Sequence, residues 1–256
     1  MRRARGWWPV GVDAVLDAVY PPRCAGCRAW GKPLFCESCR GKIRPIVAPF
    51  CACCGIPFDP LARSADICAD CRANRYHKTP PFVLLRSVYL FDGPVRDAMH
   101  RFKYQEKTAL AAPFAALLGG YLRDPPAPLP AIPVDDLSLI VPVPLHPWRR
   151  YRRGYNQSLL LARALSEALS IPVAEALSRT RYTSSQVGLS RGDRADNVRG
   201  AFRVEPKALR RSQPNSGPVL LVDDVCTTSA TLRECATVLR ASGVPAVYAI
   251  TLARQL

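Results

Sequence analysis

The stretch Val219-Leu-Leu-Val-Asp-Asp-Val-Cys-Thr-Thr-Ser-Ala-Thr231 decides the fold. Its four leading apolar residues read as a buried strand, and the two acids Asp223 and Asp224 stand at that strand's carboxyl end, where open α/β sheets place their ligands. A turn of small hydroxylated residues, Thr227, Thr228, Ser229 and Thr231, then opens a helix whose first N–H groups have no partner within it. Such a start cradles phosphate with backbone amides and hydroxyls. The neighbouring carboxylates suit a sugar diol or a cation, so one line of residues specifies a sugar phosphate. An ordinary N-capped helix after a buried strand is the alternative reading.

Outward from this stretch, residues 82–256 alternate short β-branched apolar runs with longer helical ones, the sign of a parallel sheet covered by helices. Strands are predicted at Val83–Phe91, Leu139–Val143, Val219–Val222 and Ala246–Leu252, and helices at Pro94–Lys103, Ala109–Leu122, Asn156–Ser170 and Ser229–Ser242, the last stopped by Gly243. His100 and Lys103, three apart, share a helix face. From Arg179 to Phe202 the periodicity lapses into a polar, Arg-rich stretch that reads as a functional loop or a basic linker. Arg149, Arg150, Arg152 and Arg153 form a basic run flanked by Trp148, Tyr151 and Tyr155. It reads as an anion site, with interleaved aromatics that suit single-strand stacking, or as a solvated face.

Cysteine usage divides the chain. Nine of the eleven Cys lie between Cys24 and Cys71, so a Cys-rich module with an N-terminal helix is expected in residues 1–79, ahead of a larger domain in 82–256. Cys24-x2-Cys27 and Cys36-x2-Cys39 are one pair of knuckles; Cys51-x2-Cys54 and Cys68-x2-Cys71 are another. Each pair supplies the four thiolates that tetrahedral zinc takes in a closed structural site. Two structural Zn2+ ions are therefore expected, paired sequentially or in a crossed scheme; an iron–sulfur cluster and unmetallated thiols are the other readings. Cys53 could replace Cys54, although the x2 spacing favours Cys54. Cys226 and Cys235 read as small apolar residues.

The formal charge is +16, from 36 Lys and Arg against 20 Asp and Glu, with Arg dominating. That balance points to an anionic partner, nucleic acid or a phosphorylated metabolite, or to codon bias toward Arg. No apolar run is long enough to span a bilayer, and Asp13 and Asp17 interrupt a signal-like start. A cytoplasmic protein without membrane insertion is expected.

The Val219–Thr231 segment resembles the signature of type I phosphoribosyltransferases for binding 5-phosphoribosyl 1-pyrophosphate (PRPP), with Ser229 where Gly is frequent. With the Cys module, the chain from about Val15 onward resembles the ComF family. Further marks are Tyr20-Pro-Pro-Arg-Cys24, His100-Arg-Phe-Lys-Tyr104, Val141-Pro-Val-Pro144, Arg153-Gly-Tyr-Asn-Gln157, and Arg181, Thr183, Gln186, Leu189, Arg194 and Asn197 with Gly200-Ala-Phe202. The resemblance implies an α/β type I phosphoribosyltransferase-like sheet flanked by helices, with a small zinc-ribbon module. By it, Asp223 and Asp224 hold the ribose hydroxyls of PRPP, directly or through Mg2+, and are the catalytic acids. Val225, Thr227, Thr228, Ser229, Ala230 and Thr231 cradle the 5-phosphate. Pro144 and Leu145 lie on the pyrophosphate loop, with Arg149, Arg150, Arg152 and Arg153 as pyrophosphate or nucleic-acid contacts, and Arg181, Gln186, Arg194 and Asn197 belong to a closing loop. Transfer of the phosphoribosyl group to an acceptor that the residues do not identify is one implied function. The alternative is a competence protein of DNA uptake, binding single-stranded DNA or a helicase partner, with PRPP as regulator.

Overall fold

The computed structural model of the protein describes residues 23–31, 34–59, 67–75, 81–104, 108–126, 130–181, 198–212 and 217–256. The expected N-terminal helix, and Gln186, Arg194 and Asn197, lie outside them. Four strands, β1 (Leu84–Leu90), β2 (Leu139–Pro142), β5 (Val219–Cys226) and β6 (Val247–Arg254), form a parallel sheet in the order β1-β6-β5-β2. Strand β5 is central, and Val219 to Val222 are wholly inaccessible. Because successive side chains alternate across a strand, Leu220 and Val222 join the core on one face while Val219 and Leu221 join the core on the other.

Helices α3 (Gly93–Tyr104), α4 (Ala111–Arg123) and α6 (Gln157–Leu169) cover the first face through Met99, Phe102, Phe114, Leu118, Leu161 and Leu165. Helix α8 (Ala230–Ala241) covers the second through Leu232, Cys235, Ala236 and Leu239. Strand β5 runs four residues beyond the predicted Val219–Val222, because pairing with β6 continues through Asp223, Val225 and Cys226. The acids therefore sit within the last half of the strand. The ends of the Arg179–Phe202 stretch form a small antiparallel ribbon, β3 (Leu177–Arg179) with β4 (Phe202–Val204), followed by α7 (Pro206–Ser212).

The Cys-rich segments, with short helices α1 (Glu37–Arg40) and α2 (Ala69–Arg75), pack onto the sheet. Cys24 and Cys39 lie in the first core; Cys51, Cys54 and Cys71 lie in the second. Ile46 N–H donates to Val88 O at 2.9 Å, Leu90 N–H to Arg44 O at 2.9 Å and Leu85 N–H to Cys53 O at 2.8 Å, so the outer edge of β1 is paired rather than open. Arg86, 3% exposed, donates to the Ala52, Cys53 and Pro130 carbonyls, and Arg254 to Cys54 O at 2.8 Å. No described helix is long and apolar enough to cross a membrane.

Gly26, inside the first knuckle, has no room for a side chain: a Cβ there would lie 2.9 Å from both Cys39 Sγ and Pro94 Cβ. A ligand sulfur cannot yield without leaving its site. Gly26→Ala is expected to destabilise the protein by about 1 to 3 kcal/mol, the usual cost of overpacking, and to speed zinc loss to a chelator. Thermal unfolding and a colorimetric zinc-release assay measure both; unchanged values in both would refute the packing described.

Candidate functional site

A cleft of about 330 Å3 opens at the carboxyl ends of β2 and β5, lined by residues from β5, the following loop and the start of α8, α3, β3, the start of α6 and the basic run after β2. Helix α5 (Pro147–Arg153) was not predicted as a helix; the basic run is helical, capped at its start by His146, whose Nδ1 accepts from Trp148 N–H at 3.2 Å. It ends at Gly154, whose φ of 80° turns the chain into the left-handed region. The next residues explain the Arg153–Gln157 motif. Asn156 caps α6 by accepting from Ser158 N–H at 3.1 Å, and its amide donates to Val143 O at 3.1 Å, fixing the loop after β2. Tyr155 donates to Phe102 O, tying the same loop to α3.

The two acids are held differently. Asp224, 3% exposed, pairs with Lys103 Nζ at 2.7 Å, and its Oδ1 accepts from Val225 N–H at 2.8 Å. Asp223 is half-buried; its Oδ1 accepts from Ser158 Oγ at 2.7 Å and Asp224 N–H at 2.9 Å. Burial, reinforced by the Asp224 charge next to it, pushes the Asp223 carboxyl up to about 7. Ser158 and Lys103 oppose that shift without cancelling it. Lys103 neutralises the Asp224 carboxylate, so the charge that the pair presents to the cleft is set by the protonation of Asp223.

The loop after β5 enters α8 through Ser229, whose φ of 62° is left-handed. That conformation favours glycine, which accounts for the resemblance's one departure: Ser229 offsets the cost by donating to Thr228 O at 2.5 Å and accepting from Arg233 Nε at 3.1 Å. Thr227, Ser229, Ala230 and Thr231 line the cleft together with Val225, Pro144 and Leu145. Thr228 Oγ1 is inaccessible and makes no hydrogen bond among the described residues.

The arginines divide by helix phase. Arg149 and Arg153, one turn apart, line the cleft with Arg179, which is 8% exposed and lies over Phe202 at 5.2 Å. Arg150 instead pairs with Glu175 at 3.3 Å, and Arg152 stacks over Trp148 at 4.8 Å. Arg181 donates to Arg199 O at 2.9 Å. Sequence reasoning missed Ser158, Arg179 and Lys103 as parts of the site. For Ser158 no local signal exists, since its partner Asp223 is 65 residues away.

In the Cys-rich segments the sulfurs of Cys24, Cys27, Cys36 and Cys39 lie within 4.8 Å of one another, as do those of Cys51, Cys54, Cys68 and Cys71. This is the sequential pairing, with Cys53 outside the second set. Backbone N–H groups point at the thiolates: Cys36 to Cys24 Sγ at 3.3 Å and Cys68 to Cys51 Sγ at 3.3 Å. Four clustered sulfurs of this kind fit tetrahedral zinc. The model of the double zinc ribbon domain matches residues 15–75, so both are structural zinc sites.

The chain is 33% identical over 239 residues to competence protein F of Haemophilus influenzae, covering 91% of this chain and 96% of that relative. It belongs to the competence protein F family. It is also 33% identical over 246 residues to the DNA utilization protein YhgH of Escherichia coli, covering 92% and 98% of the two chains, and 28% identical over 226 residues to competence protein ComFC of Bacillus subtilis, covering 86% and 84%.

The raised Asp223 carboxyl has a thermodynamic consequence. Unfolding returns it to its ordinary value near 4, so between about pH 4 and 7 the native state binds more protons than the unfolded one, and Asp223 makes stability fall as pH rises through that window. Asn keeps an oxygen that can accept from Ser158. Asp223→Asn should therefore gain stability relative to wild type as pH rises from 4 to 8, by up to a few kcal/mol, measured by urea unfolding across the range. A constant difference between the two proteins would contradict this electrostatic description.

Proposed function

We propose that the cleft binds PRPP and that the protein acts in the uptake or utilisation of DNA. One observation carries the ligand assignment: paired acids at the end of the central strand lead directly into a hydroxylated loop and the N-terminus of α8, all within one cleft. The α8 amides and the hydroxyls of Thr227 and Thr231, which line the cleft, are donors for the 5-phosphate, whereas the inaccessible Thr228 hydroxyl is not. Asp223 and Asp224 accept from the ribose hydroxyls. Because Lys103 already holds Asp224, the acids suit a diol better than a resident cation, and Mg2+ enters as part of the PRPP complex. Arg149, Arg153 and Arg179 lie where pyrophosphate charge needs offsetting; on transfer, bond breaking at the sugar's C1 builds negative charge that these guanidinium groups stabilise. The names of the relatives, competence proteins and DNA utilization proteins, support the cellular role.

A second reading, contact with single-stranded DNA or with a helicase or other competence protein, draws on the outer face of α5. There Trp148 is 50% and Tyr151 87% exposed, with Arg152 over the Trp148 ring. Exposed rings beside cations suit stacked bases and phosphates.

Calorimetry on the zinc-loaded protein separates the two. Asp223→Asn/Asp224→Asn should abolish Mg2+-dependent PRPP binding, and Thr231→Val should weaken it by about 1 to 3 kcal/mol, the range for a hydrogen bond to a charged group. Trp148→Ala/Arg152→Ala should leave PRPP binding intact while weakening oligo-dT binding and flattening its salt dependence. Wild-type PRPP affinity in the double acid variant would remove the phosphoribosyl assignment. Unaltered oligo-dT binding, or none in wild type at low salt, would remove the second reading.

A further inference from the structure

A fifth sulfur stands beside the second zinc site. Cys53 directly precedes the ligand Cys54, yet it lies outside the set formed by Cys51, Cys54, Cys68 and Cys71. Its backbone is pinned on both sides. The Cys53 carbonyl accepts from Leu85 N–H at 2.8 Å and from Arg86 Nη1 at 3.3 Å, the Ala52 carbonyl from Arg86 Nη2 at 2.8 Å, and the Cys54 carbonyl from Arg254 Nη1 at 2.8 Å. Exchanging Cys53 for Cys54 at the metal would turn the chain over within this set of bonds, so Cys53 is not a spare ligand.

The Cys53 thiol is placed for a different reaction. A cavity of about 180 Å3, which shares no residue with the cleft, is lined by Cys53 and Cys71 together with Phe82, Val83 and Arg233. Cys53 is half-buried, and its thiol interacts directly with the Cys71 sulfur. Arg233 donates to that same sulfur at 3.3 Å. A thiol that lines a cavity, next to a second sulfur able to displace the oxygen it acquires, is the arrangement of a peroxide-reactive cysteine with its resolving partner.

We infer that Cys53 and Cys71 form a redox switch, in which a hydroperoxide joins the two as a disulfide, the second site loses its zinc and Arg233 loses its anchor. The Cys53 sulfur attacks the peroxide, the O–O bond breaks, and a sulfenic acid forms on Cys53 as water or an alcohol leaves. The Cys71 sulfur then quits the metal and attacks the Cys53 sulfur; the S–S bond forms, the S–O bond breaks and hydroxide departs. Two electrons have passed from the sulfurs to the peroxide. The three remaining thiolates no longer close a tetrahedral site. Arg233 also donates from Nε to Ser229 Oγ at 3.1 Å, so the state of the zinc site is transmitted to the turn into α8. None of this depends on which ligand the cleft takes.

Hydrogen peroxide added to the full-length zinc-loaded protein tests the switch, with metal release followed colorimetrically and disulfides mapped by peptide mass spectrometry. Wild type should release one of its two zinc ions in step with a Cys53–Cys71 disulfide while the first site keeps its metal, and dithiothreitol with added zinc should reverse the change. Cys53→Ser and Cys53→Ala should be purified with both zinc ions and should lose this early release. Hydrogen exchange of the backbone amides of residues 227–231 should quicken on oxidation of wild type and stay unchanged in the two variants. Undiminished release from the variants, a disulfide that leaves Cys53 unmodified, or variants purified without the second zinc would overturn the switch. Zinc loss in wild type with unchanged exchange in the loop would overturn its link to α8.

Discussion

The central strand carries two adjacent carboxylates in its last half, and the inner one, Asp224, can be buried only if its charge is offset, which the ion pair with Lys103 at 2.7 Å does. Removing one partner of a buried pair leaves an uncompensated charge, which costs far more than the pair itself contributes. The bond also sets geometry. It pulls α3 against the carboxyl end of β5, fixes one wall of the cleft, and leaves Asp223, held by Ser158, as the more exposed of the two acids in the cleft. The Asp223 carboxyl is raised because no cation of its own compensates its burial.

The second zinc site reaches the same loop from the opposite face. Arg233, on the first turns of α8, donates from Nε to Ser229 Oγ at 3.1 Å and from Nη2 to Cys71 Sγ at 3.3 Å, and lies over Phe82 at 5.0 Å. A left-handed serine at the mouth of α8 is thus braced by a guanidinium anchored on a zinc ligand. The ribbons do more than complete a small module: they cover the β1 edge, supply sulfurs to both cores and support the turn that carries the hydroxylated loop into α8.

The sheet was legible in the sequence because its strands are short, apolar and separated by helices long enough to show their period; each predicted strand and long helix of residues 82–256 matches an observed one to within about two residues at each end, except for the extension of β5. The two four-cysteine sets followed from spacing, since knuckles adjacent in the chain are adjacent in space. Helix α5 was not legible, because it buries no residue and so carries no apolar stripe. Without its phase the four arginines could not be divided into the cleft pair, Arg149 and Arg153, and the outer pair. Strands β3 and β4, three residues each, are too short to display alternation. Ser158 and Lys103 join the site through contacts distant in sequence, which only the tertiary fold brings together.

A crystal structure of the protein with PRPP and Mg2+ tests the central claim most directly. The account predicts density for the 5-phosphate against the backbone amides of the loop from Thr227 to Thr231, with the ribose hydroxyls on Asp223 and Asp224 and the pyrophosphate toward Arg149 and Arg153. PRPP seated instead on the outer face of α5, with the loop and the two acids contacting no part of it, would contradict it.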